Sequence, residues 1–185
     1  MNHSPVHKGS LLIATPYMPD PFFRKTVILI CEHSHVGTFG LILNKQFELD
    51  IPEELSELKE SENPYVFLKI GGPVQPTQLM LLHDRKEMHQ TLEILPGIFL
   101  GGDLDFLQQN MQDPLGAKMA LCFGYSGWGP TELEQDISSG FWIVSEAKAE
   151  DILSSTSQDL WKKSLKNMGG KFASLAIMPD HLEMN

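Results

Sequence analysis

Short apolar runs recur along the chain, and two of them predict the centre of a β-sheet. Residues 26–33 and 38–44 are rich in β-branched and aliphatic side chains, and only a few residues ending at Gly37 separate them. That spacing favours a hairpin. Because both runs are nearly continuous rather than alternating, we expect both faces of these strands to be covered.

The remaining runs indicate a mixture of strands and helices. Further strands are predicted over residues 9–15, 65–70, 78–83, 98–101, 117–124 and 141–144. Helices are predicted over residues 48–62, from 103 onward, and over 131–139, 147–153 and 158–168. The elements do not follow a regular βαβ rhythm, and several connections are short enough only for antiparallel neighbours. We therefore expect an α+β fold with a mixed sheet surrounded by helices.

Local signals predict where several helices begin and end. Asp103 stands where an N-cap residue would accept a hydrogen bond from the first turn. Thr131 and Glu134 have the spacing of a capping box. Gly169 and Gly170 are expected to end the last predicted helix, since glycine readily adopts the left-handed conformation found there.

The predicted helix over residues 48–62 is strongly acidic. It holds seven acidic residues against one basic residue, Lys59. Ile51, Leu55 and Leu58 are spaced to form one apolar stripe. The acidic side chains are therefore interpreted as the solvated face of this helix.

Composition favours a single globular domain that does not bind nucleic acid directly. The chain has 185 residues, of which 42% are hydrophobic and 21% charged. One core over residues 1–185 suits that length, with residues 1–8 as a flexible tail. The net charge of −10 repels phosphate backbones and so removes the main electrostatic term in DNA binding.

The same sequence favours the cytoplasm. No apolar stretch is long enough for a membrane-spanning helix, and the amino terminus lacks the apolar run of a signal peptide. Cys31 and Cys122 have neither metal-site nor redox spacing, and buried thiols of this kind suit a reducing compartment. We expect no cofactor, no metal and no membrane association.

A glycine-rich segment over residues 124–130 is the strongest candidate site in the chain. It is predicted to be a turn that joins a buried strand to a helix, and its glycines allow close approach of a ligand. A nucleophile elbow requires glycine two positions after Ser126, where Trp128 stands. An anion cradle is disfavoured by Glu132 and Glu134 in the first helical turn. The alternative is that Tyr125 and Trp128 only pack.

Cys31, His33 and His35 alternate along a predicted strand and would project from one face. That arrangement suits a metal site or a Cys/His pair, although no further ligand is evident from the sequence. Residues two apart on one strand face lie near 7 Å from each other, beyond hydrogen-bonding reach. A buried, unreactive Cys31 is the favoured interpretation.

Two glycine doublets and a lysine cluster have ordinary structural explanations. Residues 71–73 and 101–103 lack the spacing of a phosphate-binding motif and are interpreted as turns. A basic cluster could contact an acidic partner, but it is assigned to a predicted amphipathic helix, where lysines ordinarily solvate the outer face. Its members are Lys162, Lys163, Lys166 and Lys171.

Several motifs occur together in a fixed order along the chain. They are Met18-Pro19-Asp20-Pro21-Phe22-Phe23, Cys31-Glu32-His33, Gly37, Gly40-Leu41-Ile42-Leu43-Asn44, Gly71-Gly72-Pro73-Val74, Gly124-Tyr125-Ser126-Gly127-Trp128-Gly129-Pro130 and Leu133-Glu134. This pattern resembles the AlgH/YqgE family of bacterial proteins. Ser126 and Gln46 depart from it, because alanine and proline are expected at these positions.

The resemblance implies a branched sheet, part of which closes like a small barrel, with helices around it. It also implies that the matching residues surround one surface cleft. These residues are Phe23, Glu32, His33, Asn44, Gly72, Gly124, Tyr125, Gly127, Trp128 and Gly129. The family is linked by name to transcriptional control of alginate production, a link that can be indirect.

Three functions compete at this point. The favoured hypothesis is a regulatory or binding protein that acts through a small ligand or a protein partner. The second is an enzyme that uses Glu32 or His33 as a general base near the glycine-rich segment. The third is a homo-oligomeric structural protein whose exposed aromatic residues form an interface.

Overall fold

One mixed β-sheet organises the part of the chain described by a computed structural model, residues 5–47, 53–86, 91–154 and 159–178. Its strands are β1 (Ser10–Ala14), β2 (Val27–Ser34), β3 (Gly37–Ile42), β4 (Val66–Ile70), β5 (Val74–His83), β6 (Thr91–Leu95), β7 (Ile98–Gly101), β8 (Met119–Trp128) and β9 (Trp142–Glu146). The strand order is β6-β7-β5-β8-β3-β2-β1-β9, with β4 as a branch paired to β8.

The sheet branches at β8. Strand β5 lies antiparallel along one side of β8, with Leu82 opposite Ala120. On the other side, the first half of β8 pairs in parallel with β4, and its last residues pair antiparallel with β3. The predicted hairpin is confirmed as the antiparallel pair β2 and β3. The mixed, branched sheet curls into a half-barrel beside helices, which confirms the predicted α+β fold class.

The helices of the described residues are short. They are α1 (Leu104–Gln112), α2 (Glu132–Ser138), α3 (Ala149–Ile152), α4 (Leu160–Met168) and α5 (Gly170–Leu175), with 3-10 helices at Pro21–Phe23 and Glu53–Glu60. The carboxylate of Asp103 accepts a hydrogen bond from the Phe106 N–H at 2.8 Å, which confirms the predicted N-cap of α1. Neither α5 nor β6 was among the predicted elements.

Two predicted helix features need correction. The acidic helix is a 3-10 helix over Glu53–Glu60, in which Leu58 is buried, and Ile51 lies outside the described residues. Thr131 makes no capping hydrogen bond, because its φ of 66° is left-handed instead of the extended conformation of an N-cap. The carboxylate of Glu132 accepts from the Gly129 N–H at 2.8 Å instead.

Apolar clusters cover both faces of the central strands. Leu29 and Leu41 belong to a first cluster that includes residues of α4, whereas Ile28 and Ile42 belong to a second cluster that includes Leu133 of α2. A third cluster lies around α1 and β4. This explains why β2 and β3 show continuous apolar runs rather than alternation.

None of the helices in the described ranges is long and apolar enough to cross a membrane. Residues 1–4 of the predicted tail lie outside the described residues. Val6 packs against the second cluster, and His7 Nε2 lies 3.0 Å from Glu146 Oε1. That residues 1–185 form one domain stays a prediction.

Candidate ligand-binding cleft

An open cleft of about 490 Å³ lies at the turn end of the β2–β3 hairpin, where β3, β5 and β8 meet. Side chains from these strands and from β2 form its wall. The lining residues are Glu32, Ser34, Val36, Gly37, Thr38, Phe39, Gln75, Gln78, Met80, Tyr125, Gly127 and Trp128.

A β-bulge in β2 turns Glu32 toward the cleft. Ile30 lies opposite Gly40 and Glu32 lies opposite Phe39, so Cys31 is an extra residue between two successive pairs. Cys31 is fully buried in the first cluster with Leu29, whereas Glu32 is exposed and lines the cleft beside Phe39. The bulge therefore places the neighbouring side chains of Cys31 and Glu32 on the same face of the sheet.

The bulge also separates Cys31 from His33. Because the strand alternation resumes after Glu32, His33 projects from the opposite face, and its Nε2 lies 3.8 Å from the Glu134 carboxylate of α2. Its Nδ1 lies 2.6 Å from Thr38 Oγ1. His35 falls in the turn after β2. The prediction that the cysteine and both histidines share one face is wrong, since it assumed a strand without a bulge.

Strand β8 continues through the glycine-rich segment that was predicted to be a turn. Thr38 pairs with Trp128 and Gly40 with Ser126, so these residues are part of the sheet. The pairing with β3 keeps them extended, which the sequence of glycines did not reveal. Gly124, with a φ of 69°, lies in β8 between its pairing with β4 and its pairing with β3.

Within this segment, alternate side chains face opposite sides of the sheet. Tyr125 stacks edge-to-face with Phe39, with ring centroids 6.0 Å apart, and both line the cleft. Trp128 is buried in the second cluster, and its indole N–H donates to Asp136 at 3.2 Å. Ser126 is fully buried and donates its hydroxyl to the Gly71 carbonyl at 3.2 Å.

Other predicted site residues shape the fold rather than the cleft wall. A Cβ on Gly72 would lie 2.0 Å from the carbonyl carbon of Tyr125, so glycine is required where the two backbones cross. Asn44 accepts from the Val27 N–H at 2.8 Å and donates to the Lys25 carbonyl at 2.8 Å. Phe23 packs edge-to-face on Trp142, in the second cluster.

The structure thus divides the ten predicted site residues into two groups. Those that line the cleft are Glu32, Tyr125, Gly127 and Trp128. Those that do not line it are Phe23, His33, Asn44, Gly72, Gly124 and Gly129. Among the cleft residues that the sequence did not indicate are Gln75, Gln78 and Met80. No local signal marks them, because Gln75 beside Pro76 resembles a loop residue, and Gln78 and Met80 fall in the predicted strand over residues 78–83.

An irregularity in β5 supplies two of these missed residues, Gln75 and Gln78. The register against β8 shifts between Val74 and Leu79, and Gln75 has a left-handed φ of 45°. Gln75 and Gln78 are exposed side chains at the cleft. Two strand irregularities, one on β2 and one on β5, therefore direct polar side chains into the same volume.

The cysteines are poor nucleophiles in this fold. Burial raises the pKa of both thiols, that of Cys122 to about 12, although the nearby Lys69 ammonium opposes the shift there. Within the described ranges, no three His, Cys, Asp or Glu side chains are arranged to hold a metal ion.

Comparison with known proteins gives a consistent result along nearly the whole chain. A family model described as AlgH-like matches residues 11–173. A UPF0301 protein of Chlamydia abortus is 43% identical over 181 residues, which is 97% of this chain and 96% of the relative. A UPF0301 protein of Myxococcus xanthus is 37% identical over 174 residues, covering 90% of this chain and 93% of the relative.

Two solved structures share the fold. The solution structure of the AlgH protein from Pseudomonas aeruginosa matches with a TM-score of 0.71 and 27% identity, covering 97% of this chain and 98% of that one. The crystal structure of a protein from Corynebacterium diphtheriae matches with a TM-score of 0.77 and 24% identity, covering 96% of this chain and 95% of that one.

Proposed function

The chain belongs to the AlgH-like family, and we propose that it is a binding protein that holds a small organic molecule in the cleft between β3, β5 and β8. The observation that carries the proposal is the convergence of two strand irregularities on this one cleft. Bulges and left-handed residues cost stability and are found preferentially at functional sites. Here both direct side chains into open space instead of into the core.

The size and lining of the cleft suit a small molecule. A volume of about 490 Å³ lies within the range of roughly 300–1,000 Å³ that is typical of ligand sites. Phe39, Met80 and Tyr125 provide apolar and aromatic surface, and Glu32 and Gln78 provide a few polar contacts. This combination of an apolar wall with few polar groups is typical of ligand pockets.

A binding role agrees with the placement of the reactive side chains. The hydroxyl of Ser126 and the thiols of Cys31 and Cys122 are all buried. His33 lies on the face opposite Glu32, so the two side chains do not share a substrate atom in the cleft. The alternative function, an enzyme with Glu32 as general base, is supported by one observation, the position of Glu32 at the cleft.

We further propose that the protein is cytoplasmic and regulatory, with its link to transcription indirect. The two free, buried cysteines suit a reducing compartment. The net charge of −10 opposes contact with DNA phosphates. We expect no mobility shift of DNA at low micromolar protein and physiological salt, and a clear shift would contradict the indirect link.

Native mass spectrometry of gently purified protein tests the binding role. We expect a reproducible small-molecule mass on the wild-type chain. Gln78→Trp, which fills the cleft, should abolish it, whereas Gln135→Trp on the exposed side of α2 should retain it. A wild-type chain without added mass, or a ligand that Gln78→Trp retains, would count against the proposed function.

A further inference from the structure

The charge in the cleft is negative. Among the described residues that line it, Glu32 is the single charged one, and neither a lysine nor an arginine is present. Within the described part of the chain, no basic side chain lies within salt-bridge distance of the Glu32 carboxylate. A ligand in the cleft therefore meets an exposed negative charge that has no counter-charge within salt-bridge distance among the described residues.

Aromatic rings lie next to this carboxylate. Phe39 is the cross-strand partner of Glu32, and Tyr125 packs edge-to-face on Phe39 with an interplanar angle of 77°. Faces of aromatic rings attract cations through their quadrupole, most strongly when water is partly excluded. A carboxylate beside such a pair forms a recognition surface for a positive charge attached to an apolar group.

The remaining polar groups of the cleft also accept a cation. Gln75 and Gln78 present carboxamide oxygens that can receive hydrogen bonds from an ammonium group, and their N–H groups can bind a neutral acceptor. At longer range, the net charge of −10 attracts cations and repels anions. Phosphate and carboxylate ligands would find neither a lysine nor an arginine in this wall.

Resting on the proposed function, we infer that the cleft selects an organic cation: an ammonium group carried on a ring-sized apolar body. The ammonium lies at Glu32, and the apolar body lies against Phe39, Met80 and Tyr125. The chemistry of the lining side chains is the evidence for this class of ligand.

Three probes of matched shape test the inference: 2-phenylethylamine, 2-phenylethanol and phenylacetate, titrated into labelled protein and followed by backbone amide NMR. We expect the amine to shift the cleft resonances and to bind about five times more tightly than the alcohol, with the carboxylate weakest. Glu32→Gln should remove the preference for the amine over the alcohol. Glu62→Gln, which changes the same charge outside the cleft, should preserve the preference.

The outcomes separate the inference from the proposed function. Equal binding of amine and alcohol, tightest binding of the carboxylate, or an amine preference that survives Glu32→Gln would overturn the inference, while binding at the cleft would still support a ligand site. If none of the three probes shifts the cleft resonances, the inference fails, and the proposed function is then decided by whether the wild-type chain carries a small-molecule mass.

Discussion

Polar side chains occupy two contrasting regions of this sheet. In the cleft, Glu32 and Gln75 extend into open space. In the interior, Lys69 is 2% exposed and donates to the Leu43 carbonyl at 2.7 Å, and His83 is fully buried beside the rings of Phe99 and Phe106. Strand β5 carries both Gln75 and His83, so polarity alone does not distinguish the regions. Strand irregularity does, because it determines which side chains escape from the packed faces.

The interior residues have altered acid–base properties. Burial lowers the pKa of the Lys69 ammonium, and it also lowers the pKa of the His83 imidazole, because both side chains lose water in the fold. Burial therefore opposes the charged form of each of these two side chains in the folded chain. The interior region should accordingly control how stability varies with pH, whereas the cleft should control binding.

Replacing Gly72 by alanine should damage both regions at once and have the largest effect. The new Cβ would lie 2.0 Å from the carbonyl carbon of Tyr125 and 2.3 Å from the Ser126 nitrogen, which are backbone atoms that cannot rotate away. We expect a loss of at least about 3 kcal/mol in the free energy of unfolding, measured with urea. In Gly129→Ala the nearest atom is the flexible Glu132 carboxylate at 3.6 Å, so this control should change stability by less than about 0.5 kcal/mol.

Replacing Lys69 by methionine should alter the interior alone. Because burial lowers the pKa of Lys69, the unfolded chain binds more protons between that lowered pKa and the usual lysine pKa of about 10.4, and wild-type stability rises with pH in that window. We expect Lys69→Met to be more stable by about 1 kcal/mol near pH 7, since a buried amine is costly. The advantage should shrink as pH rises toward 10.

Urea unfolding at several pH values measures this dependence on Lys69. The exposed Lys162→Met is the control and should leave the pH dependence of wild type unchanged. A Lys69→Met protein whose stability follows the same pH slope as wild type would show that the Lys69 pKa is not lowered by the fold.

Replacing His83 by phenylalanine should remove a source of acid sensitivity. Its pKa is lowered in the fold, so below about pH 6.5 the unfolded chain takes up a proton that the folded chain resists, and wild-type stability falls. His83→Phe keeps an aromatic ring between Phe99 and Phe106 and should flatten the stability profile between pH 7 and 5. His35→Gln, in the exposed turn, should retain the wild-type decline.

Two glycine substitutions in the cleft should have small effects of opposite sign. Gln75→Gly relieves a left-handed φ of 45° and should raise the free energy of unfolding by about 0.5 kcal/mol. Gln78 lies in the same strand but has no positive φ. Gln78→Gly should therefore lower the free energy of unfolding by a similar amount, about 0.5 kcal/mol. Thermal unfolding distinguishes the two, and equal signs would show that Gln75 is not strained.

Much of the fold could be predicted from local patterns. Three features are signalled by residues that lie close together in the sequence. They are the apolar runs of β2 and β3, the helix cap at Asp103 and the strand at Ile98–Gly101. The ordered family motifs indicated a branched α+β sheet, which the structure has. The candidate site was predicted less well, because six of the ten residues predicted for it do not line the cleft.

The sequence by itself determined most of the segments that become strands and that Cys31 and the apolar residues before it are buried, since apolar patterns report the drive to leave water. Only the tertiary structure decided that Cys31 and Glu32 share one face, that β8 runs to Trp128, and that Gln75 enters the cleft. These features depend on strand register, and register belongs to a pair of strands rather than to either one. A one-residue bulge reverses the face of every following side chain, and no pattern within a single strand records its partner.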